Sequence, residues 1–455
     1  MRILIANLIA KIARMTSRLA KRGGGTTLPG LLAEKIAPNI ITKLANQLPQ
    51  GIILITGTNG KTTTARMLAA VLEANNLKVI YNSSGSNLSR GIASCLSQNS
   101  NLLGTKINGD IGIFEVDEAT MPEITKKVTP KIILVTNLFR DQLDRYGELN
   151  KTASIIGSAI KRVPESIVFL NADDPLVASL KKYNKDIRYF GINDHIETKS
   201  NGAIDSKNCL ECDHELRYEH RYFGHLGTYE CPKCGAKKPK LDYGLSNLRL
   251  SVEKSIANYG FSDHKILLEI QLPGLYNLYN ALAACAIASE MKIKDTTIQD
   301  SIKKVTAAFG RMESVEVDKK KLFLLLVKNP TGFTQVIETL SYDNKPKNLF
   351  LLLNDKFADG TDISWIWDAE LELLNKLADK VVVSGIRAED LLLRLKYADF
   401  DLGNVMIEKN VGQALDLAFA NIQEGETLYV MPTYTAMLEL RKILYNRSLV
   451  KGLVE

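Results

Sequence analysis

Gly51-Ile52-Ile53-Leu54-Ile55-Thr56-Gly57-Thr58-Asn59-Gly60-Lys61-Thr62-Thr63-Thr64 is the stretch from which the fold can be read. Four apolar, mostly β-branched residues predict a short buried strand, and the run from Ala65 to Asn75 suits a helix. Between them, Gly57 and Gly60 allow the sharp turn and close approach that an anion requires, while Thr58 and Asn59 fill the loop. Lys61 adds a positive charge where backbone amides of the helix N-terminus already favour phosphate, and the hydroxyls of Thr62 and Thr63 suit Mg2+. The spacing is shorter than G-x-x-x-x-G-K-[ST]. A plain Gly-rich turn is the competing reading, but strand, Lys-Thr pair and helix together favour a nucleoside triphosphate site.

Outward from this loop, strand-like runs alternate with helical patterns at Lys78–Tyr81, Ile111–Val116, Lys131–Thr136, Ser166–Asn171 and Asp186–Phe190. A parallel sheet covered by helices is expected. The pattern breaks at 194–240, a polar stretch with four cysteines, then resumes with Lys265–Leu272 and a helix from Asn277. A second series follows Gly310-Arg311, with strands expected at Leu322–Val327, Leu349–Leu353, Lys380–Ser384, Val405–Ile407 and Thr427–Met431. One helix is expected over Trp365–Leu377. The expected class is α/β: a P-loop domain over 51–313 with an insertion at 194–240, and a C-terminal Rossmann-like α/β domain over 314–455. Residues 1–50, a basic helix and a Gly-rich loop at Gly23–Gly30, are expected to pack on the first of these.

The chain has 455 residues, 45% hydrophobic and 24% charged, with a formal charge of +7. That length points to two or three domains, and the modest charge singles out no nucleic-acid partner. No apolar run approaches the roughly eighteen residues that cross a bilayer. Asn7 and Lys11 interrupt the pattern of a signal peptide, so a cytoplasmic setting is expected. The basic, apolar N-terminus is expected to pack on its own domain, with contact at the inner membrane face the competing role.

Cys209 and Cys212 form one C-x-x-C, Cys231 and Cys234 a second, and eighteen residues separate the pairs. Such spacing predicts a tetrahedral all-sulfur zinc ribbon, structural because four thiolates leave no open position. His214, His220 and His225 are expected at the surface, Cys95 and Cys285 in the core.

Phe114-Glu115-Val116-Asp117-Glu118 closes a strand beside the loop, so Glu115 is a second candidate for Mg2+. Further motifs are Asn137-Leu138-Phe139-Arg140-Asp141-Gln142-Leu143-Asp144, the helix Asn277-Leu278-Tyr279-Asn280-Ala281, and Gly310-Arg311-Met312-Glu313. With the phosphate loop, these resemble the Mur ligase family across most of 51–313. The resemblance implies ATP binding, an acyl-phosphate intermediate and attack by an amine. It implies that Lys61 and Thr62 serve phosphate and Mg2+, Glu115 serves Mg2+, Asn277 lies near adenine and Arg311 reaches the phosphates.

Two departures stand out. Only about fifty residues precede the loop, so the uridine-binding module of UDP-peptide-extending members is expected to be missing. The segment Leu325-Leu326-Val327-Lys328-Asn329-Pro330 lacks the acidic residue that usually opens this motif, and the carbamylated lysine of the family has no identifiable counterpart. With the four cysteines and Leu353-Asn354-Asp355 through Trp365-Ile366-Trp367, these features are similar to the Mur-ligase-like subunits of lipid II isoglutaminyl synthases.

That likeness implies a heterodimer with a GatD-like glutamine amidotransferase subunit, ammonia as nucleophile, lipid II as substrate, and Asp355 as the residue that orients the partner's histidine. Read from sequence alone, Asp355, Asp359 and Asp362 are loop residues or caps. A folylpolyglutamate-type or other Mur-type ligase acting alone is the nearest rival. A nucleic-acid-binding ATPase, using Arg217, Tyr218, Arg221, Tyr222 and Phe223, is a more distant one.

Overall fold

A computed structural model describes residues 2–19, 27–82, 86–140, 149–195, 205–306, 311–317, 319–343 and 345–450, apart from the side chains at 17–19 and 311–313. The expected loop at 23–26, the motif residues 141–148 and Gly310 lie outside them. Eleven strands precede residue 271: β1 (Ile52–Thr56), β2 (Val79–Tyr81), β3 (Ile111–Glu115), β4 (Ile132–Val135), β5 (Ile167–Asn171), β6 (Ile187–Ile192), β7 (Arg217–Phe223), β8 (Leu226–Glu230), β9 (Tyr243–Leu250), β10 (Ser255–Phe261) and β11 (His264–Ile270). Nine of them form one sheet in the order β11-β10-β9-β6-β5-β4-β1-β3-β2. Its strands are parallel from β2 through β9 and antiparallel at the β9-β10-β11 edge.

Central strands of this sheet are buried on both faces, which is why they read as unbroken apolar runs. Ile53 and Ile55 point into the core beneath the helices Lys61–Ala74 and Leu275–Glu290, while Ile52 and Leu54 point into the opposite core beneath the N-terminal helices and Leu149–Arg162. On either side of β1 the chain order reverses, with β3 on one flank and β4 on the other. Loops leaving the carboxyl ends of these three strands therefore open a crevice, the usual ligand position in such sheets.

Six later strands, β12 (Arg311–Val317), β13 (Lys320–Leu325), β14 (Lys347–Leu352), β15 (Ala378–Ser384), β16 (Val405–Ile407) and β17 (Thr427–Pro432), form a second sheet in the order β12-β13-β17-β14-β15-β16. All pairs are parallel except β12–β13. One hydrophobic core cluster holds residues from both sheets, together with Leu282 and Phe333 of the helices between them. The one helix expected at Trp365–Leu377 is instead two 3-10 turns, Ser364–Trp367 and Leu371–Lys376. Buried Arg394 explains the break: its guanidinium takes the Ile366 and Ala369 carbonyls (3.1 and 2.7 Å), which a continuous helix would use internally.

Candidate functional site

The phosphate loop is shaped by its two glycines and held by the loop after β4. Gly57 has φ +124 and Gly60 φ +89, and a Cβ on Gly60 would sit 2.1 Å from Asn280 Oδ1. The Thr58 amide donates to the Asn137 carbonyl (2.8 Å) and the Asn59 amide to Asn137 Oδ1 (2.9 Å). Thr58 Oγ1 accepts from the Phe139 amide (3.0 Å), so this buried hydroxyl is occupied in holding the loop.

The helix Lys61–Ala74 then starts at Gly60, which leaves its first amides without helical acceptors. Thr62 Oγ1 donates to Glu115 Oε2 at 2.8 Å, so the two oxygen donors expected to share a cation lie together. Lys61 Nζ is paired with Glu118 at 3.0 Å and also donates to the Gly57 carbonyl. Glu118, three residues beyond the strand end, is a site residue that the sequence reading does not single out, while the neighbouring Asp117 accepts the Ala119 amide with its Oδ1. Asn82 fixes Glu115 by two bonds to its backbone, 2.9 and 3.0 Å long.

Two further residues reach this loop from beyond the second strand of the other sheet. Lys328 Nζ lies 3.5 Å from the Thr58 carbonyl, and Asn329 Nδ2 donates to Asn59 Oδ1 at 3.1 Å. Asn329 Oδ1 meanwhile caps the helix Pro330–Leu340 by accepting the Gly332 amide. Asn277 is buried, its Nδ2 donating to the Pro273 carbonyl at 2.7 Å and its Oδ1 accepting from Asn280. Arg311 opens β12, and its side chain is outside the described residues.

The four-cysteine insertion fills the crossover between β6 and β9. The Sγ atoms of Cys209, Cys212, Cys231 and Cys234 lie within 4.8 Å of one another, which suits one metal ion. Amides of Cys234 and Lys233 aimed at Cys231 bring its thiol down to about 6.

The β7–β8 hairpin docks against the phosphate-loop support. Phe223 stacks on Phe139 (5.6 Å), and His225, expected at the surface, is fully buried with Nε2 3.3 Å from Asp174 Oδ1. The ring is drawn inward by packing on Phe139, 4.7 Å between centroids, and it covers Asp174, whose Oδ2 accepts the Leu138 amide. Next to it, Lys238 pairs with fully buried Asp173 at 2.5 Å, and Tyr279 donates to the same carboxylate at 2.6 Å. Tyr222 and Phe223 face this interior, so they provide no exposed stacking platform for bases.

At the carboxyl edge of β14, three aspartates separate by role. Asp359 accepts from the Thr435 amide (2.7 Å) at the start of the helix Tyr434–Asn446, and Asp362 accepts from the Ser364 amide. Asp355 caps nothing of this kind; it pairs with Arg387 Nε at 2.7 Å, and that carboxylate raises the guanidinium pKa. Phe357, 83% exposed, stands two residues away.

A P-loop at the switch point of a mainly parallel sheet, joined to a second mainly parallel sheet that reaches the loop with the residues after β13, defines a nucleotide-dependent α/β enzyme class. The Mur ligase middle domain family matches residues 55–288, and the MurT ligase C-terminal family matches 326–437. The chain is 36% identical to the lipid II isoglutaminyl synthase subunit MurT of Streptococcus pneumoniae over 95% of each chain, and 35% identical to that of Staphylococcus aureus (strain COL) over 98% of each. It superposes on a pseudomurein peptide ligase type C from Methanothermus fervidus with a TM-score of 0.69 at 23% identity, covering 89% of this chain and 80% of the other. The chain belongs to the Mur ligase family, on its MurT branch.

Proposed function

We propose that this chain is the ligase subunit of an ATP-dependent amidotransferase that converts the D-glutamate α-carboxylate of the lipid II stem peptide to D-isoglutamine. Likeness to MurT subunits along 95% of both chains carries this reading. The γ-phosphoryl of ATP passes to the carboxylate, giving an acyl phosphate and ADP; ammonia then attacks the carbonyl and phosphate leaves. Gly57, Thr58, Asn59, Gly60 and Thr63 frame the triphosphate, and Lys61, once turned from Glu118, supplies charge at the transferring phosphoryl group. The adjacent Thr62 hydroxyl and Glu115 carboxylate suit Mg2+, which would neutralise phosphate charge. Asn277 and Arg311 are assigned to adenine and phosphate.

In this reading residues 51–313 and 314–455 are separate domains, the second Rossmann-like, with 1–50 packed on the first. A structural Zn2+ in the four-cysteine cluster holds the insertion together. Ammonia comes from a GatD-like glutaminase partner in a cytoplasmic heterodimer, and Asp355, just past the carboxyl end of β14 and two residues from exposed Phe357, completes that partner's Cys-His pair. The test is amidation of lipid II with ATP and Mg2+, using free ammonium or glutamine plus the partner. Ammonium is expected to suffice; no amidated product from it overturns the assignment. Asp355→Asn should spare the ammonium reaction and abolish the glutamine-dependent one, and equal loss of both removes Asp355 from the triad.

A further inference from the structure

The first helix, Arg2–Leu19, turns Ala6, Asn7 and Ala10 inward with Ile3 packed beside them, and most of its large side chains outward. Ala6, Asn7 and Ala10 are buried against the domain, with Asn7 Nδ2 donating to the Asn101 carbonyl at 2.7 Å and Lys11 Nζ to that of Ser100 at 2.6 Å. Leu4, Ile5, Leu8, Ile12 and Met15 are 37–60% exposed. At 3.6 residues per turn these five fall in one stripe about 100° wide. The turn that Asn7 grips adds Leu102 and Leu103, 62% and 52% exposed. A helix serving only its own domain would bury the large side chains instead, and a contiguous exposed patch of this kind marks an interaction face.

Charge identifies the occupant. The helix holds Arg2, Lys11, Arg14 and Arg18 and no acidic residue. Eight of the chain's 58 lysines and arginines, but one of its 51 acidic residues, fall within the first fifty positions, so the rest of the chain is balanced and the whole excess of +7 sits here. Lys11 is held by the Gln98 and Ser100 carbonyls, but the apolar stripe borne by the chain's one strongly positive region fits a bilayer with anionic headgroups, where acyl chains take the aliphatics and the net positive charge of the first fifty residues is drawn to the phosphates. No helix of the described residues is long and apolar enough to cross a membrane, so this one would lie in the interface plane.

We propose that the helix Arg2–Leu19 is a peripheral anchor lying flat on an anionic lipid bilayer, with Leu4, Leu8, Ile12 and Met15 directed to the acyl boundary. The proposal does not depend on the reaction assigned above, because neither stripe nor charge refers to a substrate. The full chain is floated with vesicles of phosphatidylglycerol and phosphatidylcholine, or of phosphatidylcholine alone, neither containing lipid II. Binding should be about tenfold or more stronger to the anionic vesicles and should weaken as salt screens the surface charge.

Leu8→Glu/Ile12→Glu should lose at least about tenfold of that binding at unchanged Tm, since both side chains are exposed. Failure of the full chain to float with anionic vesicles, or equal flotation of chain and variant, overturns the proposal. So does a dimer in light scattering that the double variant dissolves without any vesicle binding, which would give the face to a second copy of the chain.

Discussion

Gly60 sits where two constraints meet: a left-handed backbone at φ +89 and a side-chain amide where its Cβ would be. Gly60→Ala should weaken nucleotide binding at least about tenfold, since left-handed strain alone costs about 1–3 kcal/mol and the clash with Asn280 adds to it. Asn280→Gly added to it removes the clash and keeps the strain, so titration of nucleotide should show partial recovery; wild-type affinity in Gly60→Ala would refute this loop geometry. Asp173 supports a second residue-scale prediction. Burial drives its pKa up against the opposing pull of Lys238 and the Tyr279 hydroxyl. Lys238→Met leaves that carboxylate buried without its cation and should cost about 3–5 kcal/mol in urea unfolding. A carboxyl whose folded pKa lies above its unfolded one loses stability as pH rises between the two values, because the folded state holds the extra proton there. The variant's deficit should therefore be larger at pH 8 than at pH 5. A deficit independent of pH would show that Asp173 is not the group left exposed to the interior.

Among the elements, the insertion ties the four-cysteine cluster to the phosphate loop. Phe223 and His225 on the β7–β8 hairpin press on Phe139 and Asp174, and these in turn fix Thr58 and Leu138. Cys209→Ser/Cys231→Ser should lose one metal equivalent by elemental analysis, unfold at lower urea, and bind nucleotide several-fold more weakly. Metal loss with unchanged nucleotide affinity would uncouple the two. The separate pieces of this arrangement were readable in the sequence to different degrees. Strands β1, β3, β4 and β5 announce themselves because burial on both faces demands apolar runs, and paired C-x-x-C turns converge for reasons local to each turn. His225 carried no such signal, since its role depends on Asp174, fifty-one residues away in sequence, and nothing in a polar cysteine-rich stretch indicates which face folds inward. Glu118 was hidden differently: β3 ends at Glu115, so strand periodicity no longer governs which of the next carboxylates meets Lys61.

At the scale of the whole molecule, one amide links the second sheet directly to the phosphate loop, beside Lys328. Asn329 caps the helix Pro330–Leu340 with its oxygen and holds Asn59 of the phosphate loop with its nitrogen, a contact 270 residues apart in sequence and so invisible to local pattern. The two functions can be separated chemically. Asn329→Asp keeps an acceptor for the Gly332 amide but replaces the donor facing Asn59 Oδ1 with a second oxygen, and brings negative charge to the loop assigned to triphosphate. Nucleotide affinity should fall about tenfold, from a lost hydrogen bond worth about 0.5–1.5 kcal/mol plus repulsion, while the melting temperature changes little because the cap survives. Asn329→Ala loses the cap as well and should cost about 1 kcal/mol of stability beyond the aspartate variant. Nucleotide titration and thermal melting of both variants decide the matter: if aspartate leaves affinity untouched, Asn329 is a helix cap alone and the second sheet does not set the phosphate loop.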